Sequence, residues 1–267
     1  MSEPRVVSLA PSATATVAAL DAADLLVGVT HHGDPPAGAG GAHGRNELPE
    51  TVGGWLNPDL DRVADLDPDV VLTSDGLQAD LAGRCRDRGL PVSHREPIDL
   101  DAVVATFAAR GDDVGRPDAG ERLATAARDR LDRVAAAVAD RPRPTVYCEE
   151  WSDPPMAAGN WVPEAVRAAG GRYPFVDSGE RSREVDLDAV AAADPDHVVL
   201  HVCGRGDRVD PATVDDRDWG VDAPTHVIDD SLLNQPSPAL IDGIERLAQV
   251  FHPDAVRSSP ANAADDT

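Results

Sequence analysis

Residues 59–72, DLDRVADLDPDVVL, and residues 186–200, DLDAVAAADPDHVVL, decide the fold because they are two copies of one unit. At an offset of 127 positions, nine of the first fourteen residues are identical. In each copy a helical stretch leads through Asp-Pro-Asp into an apolar run that is typical of a buried strand. Stacked repeat proteins have far shorter periods, of roughly 20–50 residues. The sequence therefore predicts two similar α/β lobes.

Strand-like and helix-like segments alternate along the whole chain, which is typical of parallel α/β domains. Residues 33–54 are rich in Gly and Pro and are predicted to form a long loop. The predicted strands are Arg5–Leu9, Leu25–Val29, Val70–Thr73, Pro91–His94, Thr145–Cys148, Val198–Val202 and Thr225–Ile228. The predicted helices are Pro11 to about Leu20, Pro58–Ala64, Gln78–Arg88, Leu100–Arg110, Pro117–Asp140, Val162–Ala169, Leu187–Ala193 and Pro238–Phe251.

The longest predicted helix, Pro117–Asp140, separates the two halves of the chain. At 1.5 Å per residue it is about 36 Å long. We therefore predict an α/β fold of two Rossmann-like lobes with parallel sheets, joined by this helix, with a ligand cleft between the lobes. The predicted boundaries are an N-terminal lobe at 1–115, a linking helix at 116–141, a C-terminal lobe at 142–253 and a disordered tail at 254–267.

Composition excludes several classes of partner. The 267 residues carry a net charge of −24, and every basic residue is an arginine. Such a surface repels nucleic acids and anionic lipid, and it is typical of adaptation to a salty solvent. Three cysteines argue against a disulfide framework, and Cys148 and Cys203 are predicted to be buried at the ends of strands. We expect a monomer with no membrane span.

The location follows from the amino terminus. No charged segment followed by an apolar stretch precedes the first strand, so the sequence shows no secretory signal and predicts a cytoplasmic protein. If the true start lies upstream, the protein would instead work at the outer face of the membrane.

Tryptophans in loops suggest a ligand surface. Trp55, Trp151 and Trp161 lie in predicted loops, beside Pro and Gly residues. Indoles on such backbones form flat walls for planar ligands, although each could also cover the core of its lobe. Because ligands of parallel α/β units meet the loops beyond the carboxyl ends of strands, we interpret these indoles as a ligand wall.

A second pattern would fit a metal-dependent enzyme. His31, His32 and Asp34 follow the second predicted strand, and His43 lies downstream. Histidine and aspartate can hold zinc, but the helical spacing of zinc proteases is missing. Glycine-rich phosphate loops, nucleophile elbows and paired cysteines are also missing from the sequence. The segment Gly204–Gly206 after a strand could bind an anion. We predict no catalytic residue and no resident metal.

Five motifs resemble the substrate-binding proteins of vitamin B12 and iron-chelate ABC importers. The resemblance covers residues 5–252 and is closest to the cobalamin-binding branch. The motifs are RVVSLAPSATATVAAL from Arg5, LVGVTHHGDPP from Leu26, VGGWLNPDLDRVADLDPDVVL from Val52, EEWSDPPMAAGNWVPEAVRAAGG from Glu149 and QPSPALIDGIERLA from Gln235.

The resemblance implies roles for residues of the first lobe. Ser12 and Thr14 would lie on its rim, and His31 would face the ligand. Trp55 looks like the family's tryptophan that packs on the corrin ring. Asp61 matches the position where such importers place a Glu that docks on arginines of the permease dimer.

The resemblance also implies roles in the second lobe. Asp188 would be its docking acid, and like Asp61 it is one methylene shorter than Glu. The opposing wall would consist of Trp151, Asp153, Pro154, Pro155 and Trp161, with Asn234 and Gln235 at the edge of the cleft.

These residues imply reversible binding of a corrinoid such as cobalamin, as a bound ligand and not as a catalytic cofactor. The protein would be the substrate-binding component of an ABC importer or a cytoplasmic corrinoid carrier. Two alternatives stay open. One is a haem or iron–siderophore ligand in the same place, and the other is a metal-dependent enzyme that uses His31, Asp34 and His43.

Overall fold

The computed structural model describes residues 3–31, 48–215, 217 and 219–257, which form two compact units. The first unit holds the described residues up to Pro97 together with Asp101–Ala126. The second holds Ile98–Leu100 and the described residues from Ala127 onward. The division falls within one long helix, so each unit contains part of that helix.

The first half of the chain alternates strands and helices. Its strands are β1 (Val6–Ser8), β2 (Leu26–Val29), β3 (Glu50–Thr51), β4 (Val70–Ser74) and β5 (Val92–Arg95). Its helices are α1 (Pro11–Ala19), α2 (Leu60–Asp65), α3 (Ala79–Asp87), α4 (Leu100–Asp113) and α5 (Pro117–Val138).

The sheet of the first unit has the order β3-β2-β1-β4-β5, and all its strands are parallel. Successive residues of one strand point to opposite faces of the sheet. Val6 and Leu72 pack with α1, whereas Val7 and Val71 pack with α2 and α3. A sheet covered by helices on both faces needs strands that are apolar at every position, which explains the continuous apolar runs in the sequence.

The second half of the chain continues the alternation. Its strands are β6 (Val146–Ser152), β7 (Pro155–Ala157), β8 (Arg183–Glu184), β9 (His197–Leu200) and β10 (Thr225–Val227). Its helices are α6 (Val162–Ala168), α7 (Leu187–Ala192), α8 (Ala212–Asp215), α9 (Ala239–Phe251) and α10 (Pro253–Arg257).

The sheet of the second unit is mixed, with the order β10-β9-β6-β7-β8. Strands β6, β9 and β10 are parallel, but β7 pairs antiparallel with both β6 and β8. The predicted parallel sheet is confirmed for β6, β9 and β10, and β7 and β8, which the sequence does not predict, extend it through antiparallel pairs. The physical reason is the short turn Asp153–Pro154, because two strands joined by two residues can pair only antiparallel.

The long helix α5 has 22 residues, which corresponds to about 33 Å. Within the second unit, Arg130 of α5 donates hydrogen bonds of 2.8 and 2.7 Å to Glu245 of α9. The opposite face of α9 is buried at the spacing of an amphipathic helix, from Leu240 to Phe251. No helix among the described residues is long and apolar enough to cross a bilayer.

The sequence repeat is a repeat of hydrogen bonds as well. Asp59 and Asp186 cap α2 and α7, and their carboxylates accept the backbone N–H of Asp61 and Asp188 at 3.1 and 2.9 Å. Each Asp-Pro-Asp segment then begins with a left-handed residue, Asp67 at φ 44° and Asp194 at φ 47°.

The last aspartate of each Asp-Pro-Asp segment anchors the central strand of its sheet. Asp69 accepts the N–H of Arg5 just before β1, and Asp196 accepts the N–H of Thr145 just before β6, each at 2.7 Å. In both units the carbonyl of the same residue accepts the aspartate's own N–H. The two copies therefore share a local mechanism that fixes the register of the strand entering the sheet.

Three details differ from the sequence prediction. Cys148 is buried as predicted, but Cys203 is exposed because β9 ends at Leu200 and the chain has already left the sheet. Pro253–Arg257 is helical, although disorder is predicted from residue 254, and residues 258–267 lie outside the described part. The predicted loop 33–54 includes β3, while its residues 33–47 also lie outside the described part.

We expect the two anchoring aspartates to stabilise their units to a similar degree. Asp69→Ala and Asp196→Ala each remove a hydrogen bond to a charged acceptor, so each should lower the free energy of unfolding by about 1–2 kcal/mol. Urea unfolding at fixed molar NaCl measures the loss. Asp132→Ala on an exposed face of α5 removes the same charge and serves as the control. A loss no larger than that of the control would contradict the anchoring role.

Candidate functional site

The carboxyl ends of parallel strands meet at one edge of each sheet, where the loops of an α/β unit bind ligands. In the first unit this edge carries the residues after β1, β2, β4 and β5. In the second it carries the end of β6 and the residues after β9 and β10. We call these the first and second carboxyl edges and describe each by itself.

Trp55 lies in a tight loop at the first carboxyl edge. An antiparallel bridge between Gly53 and Pro58 closes the base of this loop, and His31 N–H donates to the Gly53 carbonyl at 2.9 Å. Gly53 has φ +112°, and a Cβ there would lie 3.1 Å from the Pro58 Cα, so only glycine fits. The loop presents Trp55 half-buried and Leu56 exposed.

Gln78 holds three separate loops of this edge together. It is fully buried at the end of the 3₁₀ turn Gly76–Gln78. Its amide oxygen accepts the Ser74 N–H at 2.9 Å, and its amide nitrogen donates to the carbonyls of Leu9 at 2.8 Å and of Trp55. Each of its polar atoms has a protein partner, so the Trp55 loop is tied to the ends of β1 and β4.

The second carboxyl edge presents Trp151 near the tip of the β6–β7 hairpin. The pairing of these strands shifts register between Glu149 and Trp151, and such a bulge turns the following side chain to the other face. Glu149 is completely buried, while Trp151 is 47% exposed. The Trp151 indole N–H donates to the Asp153 carbonyl at 2.8 Å, which fixes the ring beside the turn.

A buried ion pair supports this hairpin from inside. The Glu149 carboxylate accepts two hydrogen bonds from the Arg217 guanidinium, at 2.6 and 2.8 Å, and further bonds from Tyr147 and Ser152 at 3.0 and 2.8 Å. The hydrogen bond to Glu149 raises the pKa of Arg217, and burial raises the pKa of Tyr147. Both groups therefore hold their protons at neutral pH and keep Glu149 fully bonded.

Asn234 was expected to contact the ligand, but both ends of its amide bind His201. The Asn234 nitrogen donates to the His201 carbonyl at 2.9 Å, so its oxygen faces Nδ1 of the His201 ring and accepts from it. The proton of the neutral ring therefore lies on Nδ1. Burial lowers the pKa of His201 to about 4, which keeps it neutral. Its Nε2 is buried with no hydrogen-bond partner among the described residues.

The segment Gly204–Gly206 does bind an anion, and that anion is the protein's own. The backbone N–H groups of Gly204 and Gly206 donate to the two carboxylate oxygens of Asp230, each at 2.8 Å. The anion site that the sequence suggests is therefore occupied by the carboxylate of Asp230. The bond orders the loop after β9 against the loop after β10.

Two predicted rim residues lie inside the first unit. Thr14 is buried in α1, and its hydroxyl donates to Ser8 Oγ at 2.8 Å. Ser12 is 6% exposed in the first turn of the same helix. Their expected place on the rim is wrong for Thr14, because its hydroxyl packs against Ser8 of β1, and Ser12 is almost entirely buried as well.

Trp161 also belongs to the interior. It is 3% exposed, and its indole N–H donates to the Leu233 carbonyl at 2.7 Å. It therefore covers the core of the second unit and does not line a wall with Trp151. Asp153 and Pro154 are exposed at the hairpin turn, while Pro155 and Gln235 are partly exposed.

His31 is exposed directly after β2, which agrees with its predicted position. His32, Asp34 and His43 lie outside the described residues. Within the part of the chain that the structure describes, no three His, Cys, Asp or Glu side chains are grouped so that they could hold a metal ion.

The two predicted docking acids occupy equivalent surface positions. The Asp61 side chain is 92% exposed on the first turn of α2. Asp188 is likewise exposed on the first turn of α7. Asp61 lies 3.9 Å from Nε of Arg88, a distance at which an exposed pair contributes little.

Two α/β units, each with aromatic and polar loops at one carboxyl edge, define a small-molecule binding protein of the periplasmic type. The sequence profile of the periplasmic binding protein family matches residues 6–224. The chain belongs to this family.

Sequence relatives narrow the comparison. The chain is 30% identical to a cobalamin-binding protein of Halobacterium salinarum, over 94% of this chain and 70% of that protein. It is 25% identical to a vitamin B12-binding protein of Vibrio cholerae, over 91% of this chain and 87% of that protein.

A solved structure supports the fold. A periplasmic heme-binding protein from Pseudomonas aeruginosa superposes with a TM-score of 0.77 at 24% identity, over 95% of this chain and 94% of that one. The α/β fold of two units with predominantly parallel sheets, predicted from the sequence, is confirmed.

We expect His201 to make the stability of the second unit depend on pH. The pKa is about 4 in the folded protein and about 6.5 when unfolded, so the unfolded chain binds the proton first as pH falls. Stability is therefore greatest above pH 6.5 and declines toward pH 4. Between pH 7 and 5 the loss from this group is about 2 kcal/mol.

Urea unfolding of the wild type and of His201→Gln at both pH values measures this loss, since other acids contribute equally to both proteins. Equal pH dependence in the two proteins would contradict a buried neutral His201.

Proposed function

We propose that this protein binds a corrinoid of the cobalamin type, reversibly and without chemical conversion, as the substrate-binding component of an ABC importer. The observation that carries the proposal is that each unit presents an indole at its carboxyl edge, Trp55 in the first and Trp151 in the second. The names of the two sequence relatives support the choice of ligand.

The chemistry of the two edges suits a broad ring with polar side arms. At the first edge Trp55 lies beside Leu56, which is 43% exposed, and the neighbouring turn carries Leu77, which is 56% exposed. These side chains offer apolar surface for the face of a corrin. At the second edge Trp151 is the apolar contact. The neighbouring backbone and Asp153 offer hydrogen bonds to amide side arms.

Further predicted contacts that the structure leaves exposed or partly exposed are His31, Pro154, Pro155 and Gln235. The placement of the ligand between the two units remains a prediction from the sequence.

Docking on a permease is the second part of the proposal. Asp61 and Asp188 are exposed carboxylates on equivalent first turns, and their backbone N–H groups are bound by the capping aspartates. The backbone of each residue is therefore fixed, and its carboxylate is exposed to a partner. Arginines of a permease dimer would suit both carboxylates.

Haem is the alternative ligand that one observation favours. His31 is exposed at the first carboxyl edge, and a histidine can ligate haem iron. Haem binding through His31 would shift the Soret band, and His31→Ala would abolish that shift.

Metal analysis of protein purified without chelator tests the other class, a metal-dependent enzyme.

We expect Trp55→Ala and Trp151→Ala each to weaken cobalamin binding at least about tenfold, because each loses the burial of an indole against the ring. Titration of cobalamin at molar salt, followed by tryptophan fluorescence and by the visible corrin spectrum, measures the Kd. The control is Phe107→Leu, since Phe107 is completely buried in α4 and the variant keeps all four tryptophans.

If cobalamin causes no spectral change up to about 100 μM, the proposal ends. A Kd of about 100 μM corresponds to a binding free energy of roughly −5.5 kcal/mol. If the wild type and both alanine variants bind cobalamin with equal affinity, the two indoles do not contact the ligand.

A further inference from the structure

Gln78 connects elements that are distant in the sequence and meet only at the first carboxyl edge. Its three hydrogen bonds reach the residue after β1, the last residue of β4 and Trp55. The base of the Trp55 loop is closed by the Gly53–Pro58 bridge and by the bond from Asp59 N–H to the Val52 carbonyl at 2.7 Å. The tip of the loop, where the indole is attached, reaches the rest of the unit through Gln78.

The Gln78 side chain is held firmly because it is buried and because each polar atom of its amide has a hydrogen-bond partner. The Gln78 side chain is fully buried, and its amide uses both donors and its acceptor. Without the amide, the buried Ser74 N–H and Leu9 carbonyl and the partly buried Trp55 carbonyl would each lose this partner. The Trp55 carbonyl would then lose its hydrogen bond to the turn Gly76–Gln78, while the base of the loop would stay closed.

We propose that Gln78 is a positioning residue for ligand binding, which acts by fixing the Trp55 backbone and thereby the orientation of the indole. Gln78 itself does not touch the ligand. The inference rests on the proposed function in one respect only, namely that Trp55 contacts the ligand.

The first experiment needs no ligand. The chain has four tryptophans, so protein labelled with 5-fluorotryptophan gives four ¹⁹F resonances, and Trp55→Phe assigns one of them. Gln78→Met removes the amide at nearly constant volume and should shift or broaden the Trp55 resonance alone. Cys85→Ala is the matched control, because Cys85 is buried in the core of the same unit. An unchanged Trp55 resonance in Gln78→Met would overturn the proposal.

The second experiment is a double-mutant cycle on the Kd of cobalamin. We expect Gln78→Met to weaken binding about tenfold. In the Trp55→Ala background the same substitution should have no further effect, because the group that it positions is gone. Cys85→Ala should leave the Kd unchanged while lowering Tm, which separates positioning from general destabilisation. Additive losses in the cycle would contradict the proposal.

The two experiments fail in different ways. If the wild type does not bind cobalamin, or if Trp55→Ala binds it as tightly as the wild type, the proposed function fails and the ¹⁹F spectrum alone decides the role of Gln78.

If Gln78→Met does not fold, Gln78→Glu replaces it. Its carboxyl can still accept from Ser74 N–H, and it can donate one hydrogen bond only while protonated. Cobalamin affinity of Gln78→Glu should therefore fall as pH rises, while that of the wild type stays level. A level profile in both would overturn the proposal.

Discussion

Loops that leave the carboxyl edge of a parallel sheet carry backbone polar groups out of the strand ladder, and the buried ones need new partners. In the first unit that requirement is met largely by one side chain, Gln78. In the second it is met by the carboxylate of Glu149 with its four donors. The Trp55 loop is bonded to Gln78, and Ser152 of the hairpin that carries Trp151 is bonded to Glu149. Trp55 is half-buried and Trp151 is 47% exposed, but the side chains of Gln78 and Glu149 are completely buried.

The duplicated segment explains why the two units share a scaffold and differ in their loops. The shared part is the capped helix, the left-handed Asp of Asp-Pro-Asp, and the carboxylate that anchors the central strand. The left-handed residue and the anchoring carboxylate lie at the amino ends of the strands, whereas the capped helix of the first unit begins directly after the Trp55 loop. At the carboxyl edges the units diverge, since β6 turns back as a hairpin where β1 leads into α1. The duplication thus fixed the framework while the edges could acquire different contacts.

The sequence predicts regular elements well wherever a local pattern controls them. The strand at Val70–Ser74 and the long helix α5 follow from apolar periodicity and from the prolines at either end. The hairpin at β7 is missed, because Glu149 and the prolines after Ser152 look like a loop. The charge of Glu149 is compatible with a buried strand only through Arg217, which lies 68 residues further along the chain.

The candidate site is less predictable for the same reason. Gln78 is an unremarkable residue in a predicted helix, and nothing local shows that the carbonyls of Leu9 and Trp55 lie beside it. Trp151 and Trp161 have similar sequence surroundings, yet a bulge exposes the first and a hydrogen bond to Leu233 buries the second. Asn234 was expected at the surface because its partner, His201, is 33 residues away.

Arginine also explains how buried ion pairs can persist when salt screens the charges at the surface. Arg110 is buried between Asp113 and the Thr73 carbonyl, and although burial lowers its pKa to about 10, it stays charged at neutral pH. A lysine in the same place would lose its proton more readily, and it lacks the planar fork that satisfies several acceptors at once. Molar salt screens exposed pairs such as Arg62 and Glu50, but it reaches buried pairs much less. A protein with 48 acidic residues can therefore let its surface charges be screened while Arg110 and Arg217 keep the geometry of the two units unchanged.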